Sequence, residues 1–273
     1  MGVDISQLDM PGVSPQGLQV MELVAADDPD IHKITEKIMQ DPALAGTVIR
    51  YANSPLYRRR KEITNVPNAL TMLGLKNVRS AVIMATLHAI SDSNSVVNNS
   101  VWQHGQLVAM LCKLIAIKIK PTVADDAEFV GLIHDLGILV LSSSLGNEYE
   151  VSYQRALDEE QPLEAVEKES FGISHDQVML HLASQLRLPD KLKNILSTIH
   201  SYKRITLLEQ KEDYIHAIVA TAHLLLQQIV NDPLSKGEQF PETLDELKEK
   251  LKLDDSVIEK IVAKLEDAVS QTA

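Results

Sequence analysis

The sequence is poor in the residues on which extracellular scaffolds and β-sheets depend. It contains a single cysteine, Cys112, so no disulfide can form within the chain, and a reducing, cytoplasmic setting is expected. Aromatic residues make up only 4% of the 273 residues, while glycine and proline occur 11 times each. Because strands draw on aromatic and β-branched residues, this composition favours an all-α protein.

Positive charge is also scarce. The 26 lysines and arginines are outnumbered by 38 aspartates and glutamates, which gives a net charge of −12, so no nucleic-acid partner is expected. The one basic cluster, residues 58–61, is interpreted as a solvated loop, with an anion-contacting loop as the alternative. No signal-peptide pattern is seen at the start, and the apolar runs are broken well short of a membrane span, so no membrane partner is expected.

Polar stretches divide the chain. Residues 91–100 are rich in serine and asparagine and mark the clearest lobe boundary, while Asp232-Pro233 begins a linker. We therefore expect an N-terminal helical lobe over residues 1–95, a second helical lobe over residues 96–232, and a linker with a helical tail over residues 233–273.

The stretch Gly131–Gly137 places two polar residues in an otherwise apolar run. His134 and Asp135 stand among leucines, isoleucines and valines that favour burial. A buried imidazole and a buried carboxylate are costly unless they are paired, hydrogen-bonded or bound to a metal. We therefore predict that His134 and Asp135 either compensate each other's charge or act together on a ligand.

Three predicted helices carry the histidines and the aspartate of interest. One begins at Ser100 and carries His104, one runs from Asp125-Asp126 to Gly146 and carries the His134-Asp135 pair, and one runs from Glu209 to Val230 and carries His223. Imidazole and carboxylate are the ligands that Fe, Mn and Zn sites use. The four side chains that could surround one ion are His104, His134, Asp135 and His223.

The chain has nine histidines, so each requires its own interpretation. His175 and His200 could extend the first set to a second ion or to a phosphate, because two ions can clamp a phosphoester and activate water. A lone histidine on an apolar helix face is more often a hydrogen-bonded core residue. The histidines interpreted as structural or exposed are His32, His88, His181 and His216.

Three blocks of the sequence form a pattern typical of one family. The blocks are Asp41-Pro42-Ala43-Leu44 with Val48–Ser54; Ile63 with Ala69-Leu70, Leu73-Gly74 and Val78; and Trp102-x-His104 with Gly131–Gly137, Gly172–His175 and Leu188-Pro189. Together they resemble the HDOD family, the HD-related output domain of bacterial signalling, over about residues 8–230. The resemblance implies an all-α fold in which an N-terminal helical lobe packs on an HD-like helical bundle.

The wider HD phosphohydrolase superfamily implies a metal site. The residues similar to its ligands are His104, His134, Asp135, His175 and His200. The family's final aspartate falls at His223, so the site has one negative charge fewer than the pattern implies. Asp213, about three turns earlier on the same predicted helix, is a second candidate for that role.

Two functions remain open on these residues. The first is a signalling module that acts through signalling proteins in trans and senses a metal or a nucleotide. The second is a metal-dependent phosphohydrolase for a nucleotide or another phosphoester, with Asp135 catalytic and Fe, Mn, Mg or Zn as the divalent ion. Hydrolysis of cyclic-di-GMP is not expected, because Ile138 replaces the lysine of HD-x-G-K and no Gly-Tyr-Pro occurs. A cluster without metal, held by its own hydrogen bonds, is the third interpretation.

Overall fold

A computed structural model of the chain describes residues 2–54, 57, 62–88, 95–200, 205–230, 232–236 and 240–270. Every regular element within these ranges is a helix and none is a strand, so the all-α prediction is confirmed. The basic stretch at residues 58–61 lies outside the described residues. By their contacts, the described residues form two compact units.

The smaller unit comprises residues 10–88. Its helices are α1 (Pro15–Val24), α2 (Ile31–Met39), α3 (Pro42–Ala52), α4 (Val66–Leu73) and α5 (Leu75–His88). One aspartate–proline pair acts as a cap here: Asp41 Oδ1 accepts hydrogen bonds from the backbone N–H groups of Ala43 and Leu44, and Pro42 occupies the first turn of α3. The pair Asp28-Pro29 does not cap α2, because Asp30 is the N-cap of that helix.

The larger unit comprises residues 2–9 and 95–270. It begins with a short 3₁₀ helix, Ile5–Gln7, and Val3 N–H donates to the Phe171 carbonyl at 2.7 Å. The predicted lobe limits at residues 95 and 232 stay predictions. Its α-helices are α6 (Val96–Ile119), α7 (Ala124–Ile133), α8 (Gly137–Leu145), α9 (Asn147–Asp158), α10 (Leu163–Phe171), α11 (His175–Gln185), α12 (Asp190–Leu196), α13 (Lys211–Ile229), α14 (Pro233–Lys236), α15 (Leu244–Leu251) and α16 (Asp255–Ser270).

The predicted helix from Asp125-Asp126 to Gly146 is wrong, because the chain turns at the His134-Asp135 pair. Between α7 and α8 the backbone makes tight turns, with Leu136 N–H donating to the Ile133 carbonyl at 3.1 Å. The turn lets Gly137 approach α11 so closely that a Cβ there would lie 2.1 Å from the His175 carbonyl oxygen. The pair therefore sits at a helix junction, not on a helix face.

The start of α6 also differs from the prediction. Ser95, not Ser100, is the N-cap, and its hydroxyl accepts a hydrogen bond from Asn98 N–H at 3.3 Å. The reason is that Val97 and Val101 are both buried, which extends the apolar face one turn earlier than the polar composition indicated.

Small residues let α6 and α7 pack closely where they carry histidines. A Cβ on Gly105 would lie 2.8 Å from the Leu132 carbonyl oxygen, and one on Gly131 would lie 3.0 Å from Cys112 Sγ. Gly105 follows His104 in sequence and Gly131 lies about one turn before His134, so this packing brings the two imidazoles together.

One described segment, Pro121–Leu145, is long and apolar enough to cross a membrane by length and composition, and its most apolar 18-residue window has a mean hydropathy of 1.4. Its uninterrupted apolar runs are nevertheless short, because His134 and Asp135 divide them. In addition, 83% of its most apolar window is buried inside the protein, and the segment is divided among a 3₁₀ turn, α7 and α8. Both features are those of a core segment.

Candidate metal centre

One buried cluster contains all six side chains of the predicted ion site. They come from five places in the larger unit: α6, the α7–α8 turn, the first residue of α11, the segment after α12, and α13. The most exposed of these side chains, that of Asp135, is only 6% accessible. The members of the cluster are His104, His134, Asp135, His175, His200 and His223.

The Asp135 carboxylate lies at the middle of the cluster. Its Oδ2 is 3.2 Å from His104 Nε2, and its Oδ1 is 3.2 Å from His134 Nε2. The same Oδ1 lies 3.4 Å from His200 Nε2 and 3.7 Å from His175 Nε2. On the far side of His134, its Nε2 is 3.2 Å from His223 Nε2. All five rings therefore turn Nε2 inward.

Two rings are fixed by backbone carbonyls. His134 Nδ1 lies 3.0 Å from the Gly131 carbonyl oxygen, and His223 Nδ1 lies 2.9 Å from the Val219 carbonyl oxygen. A carbonyl can only accept, so each Nδ1 carries the proton and each Nε2 presents a lone pair.

Three rings are fixed by carboxylates instead. The pairs are His104 Nδ1 with Asp232 Oδ2 at 2.8 Å, His175 Nδ1 with Glu167 Oε2 at 2.7 Å, and His200 Nδ1 with Asp176 Oδ1 at 2.8 Å. Glu167 is fully buried and also accepts from the Tyr149 hydroxyl at 2.5 Å. Carboxylates on the outer nitrogen are the usual means of orienting metal-binding imidazoles.

The pKa directions follow the identity of the Nδ1 partner. Burial lowers the pKa of His134 and lowers that of His223 well below its ordinary value. Burial opposes protonation of His104 too, but the Asp232 charge and the hydrogen bonds to Asp135 and Asp232 raise its pKa to about 10. Likewise, Glu167 overcomes burial and raises the pKa of His175 well above its usual range.

The donor set fits a cation. The inward Nε2 lone pairs of His134 and His223 face each other at 3.2 Å, and neither ring supplies a proton between them. Among the described residues, Asp135 Oδ1 and His175 Nε2 are buried without a hydrogen-bond partner. A divalent ion would satisfy atoms of this kind.

Three groups of ligand atoms, drawn from the cluster and from Asp176 beside it, are close enough to share an ion, with all atoms of each group within 4.8 Å of one another. The groups are His104 with His134 and His223, His134 with Asp135 and His200, and His175 with Asp176 and His200. Asp135 is a member of the second group, and its contact with His104 also places it beside the first group.

Asp213, the alternative to His223, does not belong to the cluster. Its carboxylate accepts from the backbone N–H groups of Glu209 and Gln210 and so caps the start of α13. His223 lies ten residues further along the same helix, a rise of about 15 Å. The histidines outside the cluster are His32, His88, His181 and His216, as interpreted from the sequence.

The supporting carboxylates were missed by the sequence analysis. Asp176 had a signal, because it follows His175 directly. Glu167 is one of several acidic residues on α10 and has no feature that distinguishes it from the others, whereas Asp232 precedes a proline in the predicted linker. Only the fold shows that these two reach buried rings.

Comparison with known proteins identifies one family. A family model described as the HDOD domain matches residues 10–202 of the chain. An uncharacterised protein of Treponema pallidum (strain Nichols) is 20% identical over 244 residues, which are 86% of this chain and 45% of that protein. The chain thus spans less than half the length of that relative.

Three solved structures share the fold. An HDOD domain protein of unknown function from Geobacter sulfurreducens is 22% identical, with a TM-score of 0.65 and coverage of 96% of this chain and 95% of that one. A candidate signal transduction protein from Marinobacter aquaeolei VT8 is 17% identical, with a TM-score of 0.71 and coverage of 96% and 57%. A candidate phosphohydrolase from Shewanella amazonensis SB2B is 19% identical, with a TM-score of 0.62 and coverage of 96% of both chains.

Proposed function

Because the chain belongs to the HDOD domain family, we propose that it is a regulatory module that holds a divalent metal ion in the His/Asp cluster and acts through contacts with signalling proteins in trans. The name of the Marinobacter neighbour, a candidate signal transduction protein, agrees with this reading. A cytoplasmic location is part of the proposal and is in line with the free, buried Cys112.

The observation that carries the proposal is the convergence of buried, pre-oriented Nε2 atoms on one carboxylate. Each outer nitrogen is held by a carbonyl or a carboxylate, so the inward lone pairs are fixed before any ion arrives. Because the most exposed of the six side chains is only 6% accessible, the arrangement favours a resident ion over a large substrate that must enter and leave. A nucleotide stays the alternative ligand.

The first ion would be held by His104, His134, Asp135 and His223. Three imidazoles and one carboxylate are nitrogen-rich, which favours Zn, Fe or Mn over Mg, an ion that prefers oxygen ligands. The protein's own residues do the holding: the Gly131 and Val219 carbonyls orient two rings, and Asp232 orients the third.

A second candidate function, a metal-dependent phosphohydrolase, is favoured by the position of Asp135 between two groups of ligands. Its Oδ2 faces His104, while its Oδ1 lies 3.4 Å from His200, a member of the group with His175 and Asp176. Divalent ions in such sites polarise a phosphoryl oxygen and lower the pKa of water. One structural neighbour is itself described as a candidate phosphohydrolase.

Metal analysis of the purified protein, before and after reconstitution with Zn, Mn or Fe, tests the proposal. We expect stoichiometric metal in the wild type, loss of most of it in His134→Gln, and retention in the control His32→Gln, because His32 is exposed and lies on α2 in the other unit. A reconstituted wild type without bound metal would contradict both functions and leave the cluster as a hydrogen-bonded core.

A phosphoester screen of the loaded protein then separates regulator from enzyme. If the protein is a regulator, we expect bound metal without turnover of generic phosphomonoesters and phosphodiesters. If it is an enzyme, we expect turnover that Asp135→Asn abolishes while the helical circular dichroism spectrum is unchanged. In that case the His32→Gln variant should be as active as the wild type. The second result would reverse the ranking of the two functions.

A further inference from the structure

The proposed ion site has a shortage of negative charge among its direct ligands. The inward-facing groups around His134 are three imidazoles and one carboxylate, Asp135. One negative charge balances half of a divalent ion, and an uncompensated buried charge is costly. Position 223, which carries a histidine, adds none.

A second carboxylate stands directly behind one ligand. Asp232 Oδ2 lies 2.8 Å from His104 Nδ1, and the Asp232 side chain is only 9% exposed. The other two rings of the set, His134 and His223, have neutral carbonyls at the same place. Asp232 also lies beyond residues 10–202, the part matched by the family model.

We propose that Asp232 is a positioning residue that supplies the second negative charge, which the direct ligands lack, and acts on the ion through the His104 ring. A divalent ion together with Asp135 and Asp232 is electrically neutral, and a carboxylate on the outer nitrogen makes an imidazole a stronger ligand. The inference rests on the proposed function, because it presupposes an ion at His104 Nε2.

The same contact ties the ion site to the segment that follows α13. Asp232 Oδ2 also accepts a hydrogen bond from Ser235 N–H at 2.9 Å, and Gln227 donates to the Ser235 carbonyl. Ser235 itself is completely buried. Because linkage is reciprocal, a bound ion stabilises the packed position of α14, and displacement of α14 lowers the affinity for the ion.

The test is the affinity of the full-length protein for Zn²⁺, measured by competition with a chromophoric chelator. Asp232→Asn keeps a hydrogen-bond acceptor for His104. It also keeps an acceptor for Ser235 N–H, because asparagine and aspartate are equally good helix caps. It removes only the charge. With each affinity corrected for the protons released on binding, we expect Zn²⁺ to bind Asp232→Asn about 10- to 100-fold more weakly than the wild type. Asp232→Glu, which keeps the charge, is expected to recover affinity.

Asp213→Asn is the matched control, because it removes the same charge from another helix cap in the larger unit, away from the cluster. Its Zn²⁺ affinity is expected to equal that of the wild type. An unchanged proton-corrected affinity in Asp232→Asn would overturn the inference. Equal losses in the Asn and Glu variants would also overturn it, because they would show that the shape of the side chain matters and its charge does not. A wild type that binds no Zn²⁺ would instead overturn the proposed function together with this inference.

Discussion

At the scale of single residues, the atom that faces Nδ1 decides what each buried ring can do. Burial keeps His134 and His223 neutral, and the carbonyl that accepts from each Nδ1 leaves the Nε2 lone pair directed inward. A carboxylate lets His104 and His175 hold a proton, since their pKa values are raised by Asp232 and Glu167 against the effect of burial. Without an ion, protons therefore balance part of the carboxylate charge.

Proton competition predicts the pH dependence of metal binding. His104 has a pKa of about 10 in the metal-free protein, so near neutral pH its proton must leave before Nε2 can bind an ion. His134 and His223, whose pKa values are lowered, release none near neutral pH. We expect the Zn²⁺ affinity to rise by about tenfold per pH unit between pH 7 and 8 for each proton displaced.

Calorimetric titrations in buffers of different ionisation enthalpy count the released protons directly. The Asp232→Asn variant serves as the comparison, because without that carboxylate His104 holds its proton less tightly and fewer protons should be released. Binding of Zn²⁺ by the wild type without proton release would show that His104 is neutral in the metal-free protein.

The sequence identified the histidines of the site better than their supports. His134 and Asp135 stand out because polar residues interrupt an apolar run, which is a local signal. Glu167 gives no such signal, since its neighbour Glu169 on the same helix is 69% exposed while Glu167 is fully buried. Which acidic residue of an amphipathic helix points inward depends on the tertiary packing.

At the scale of elements, the cap of α3 follows from adjacent residues, whereas the start of α6 and the break between α7 and α8 depend on tertiary packing. Asp41-Pro42 begins α3, because an aspartate followed by a proline satisfies the first N–H groups of a helix and fits its first turn. The turn between α7 and α8 does not follow from the apolar run alone, because the close contact that it permits is with the His175 backbone, 38 residues away in sequence from Gly137.

The Gly137 contact predicts a severe effect of one added methyl group. In Gly137→Ala the new Cβ would lie 2.1 Å from the His175 carbonyl oxygen and 3.0 Å from Met179 N, so α8 and α11 must separate. We expect the free energy of unfolding to fall by about 3 kcal/mol, and metal binding to weaken because Asp135 and His175 move apart. Urea unfolding followed by circular dichroism measures the first effect.

Gly46→Ala is the control for the same chemical change within a helix. At Gly46 the added Cβ meets only the end of the flexible Arg50 side chain, at 3.4 Å. Alanine should therefore stabilise α3 by about 0.5–1 kcal/mol through its higher helix propensity. Equal stability of the Gly137→Ala and Gly46→Ala variants would show that α8 can move away from α11 without cost.

At the scale of the whole chain, the residues of the ion site all belong to one of the two compact units. Every ligand and every supporting carboxylate lies between residues 104 and 232, in the larger unit, and none lies in residues 10–88. An ion that binds only the folded form stabilises whatever unfolds together with its site. A chain with two units need not unfold in one step.

Hydrogen exchange with and without Zn²⁺ is expected to show this division. At an ion concentration about 100-fold above the dissociation constant, the opening free energy of the larger unit should rise by about 2.7 kcal/mol. The slowest amides of α7 and α13 should therefore exchange more slowly, whereas those of α3 and α5 in the smaller unit should not change. A chelator should reverse the effect, and His134→Gln should show none. Equal protection in both units would mean that they open only as a single cooperative body.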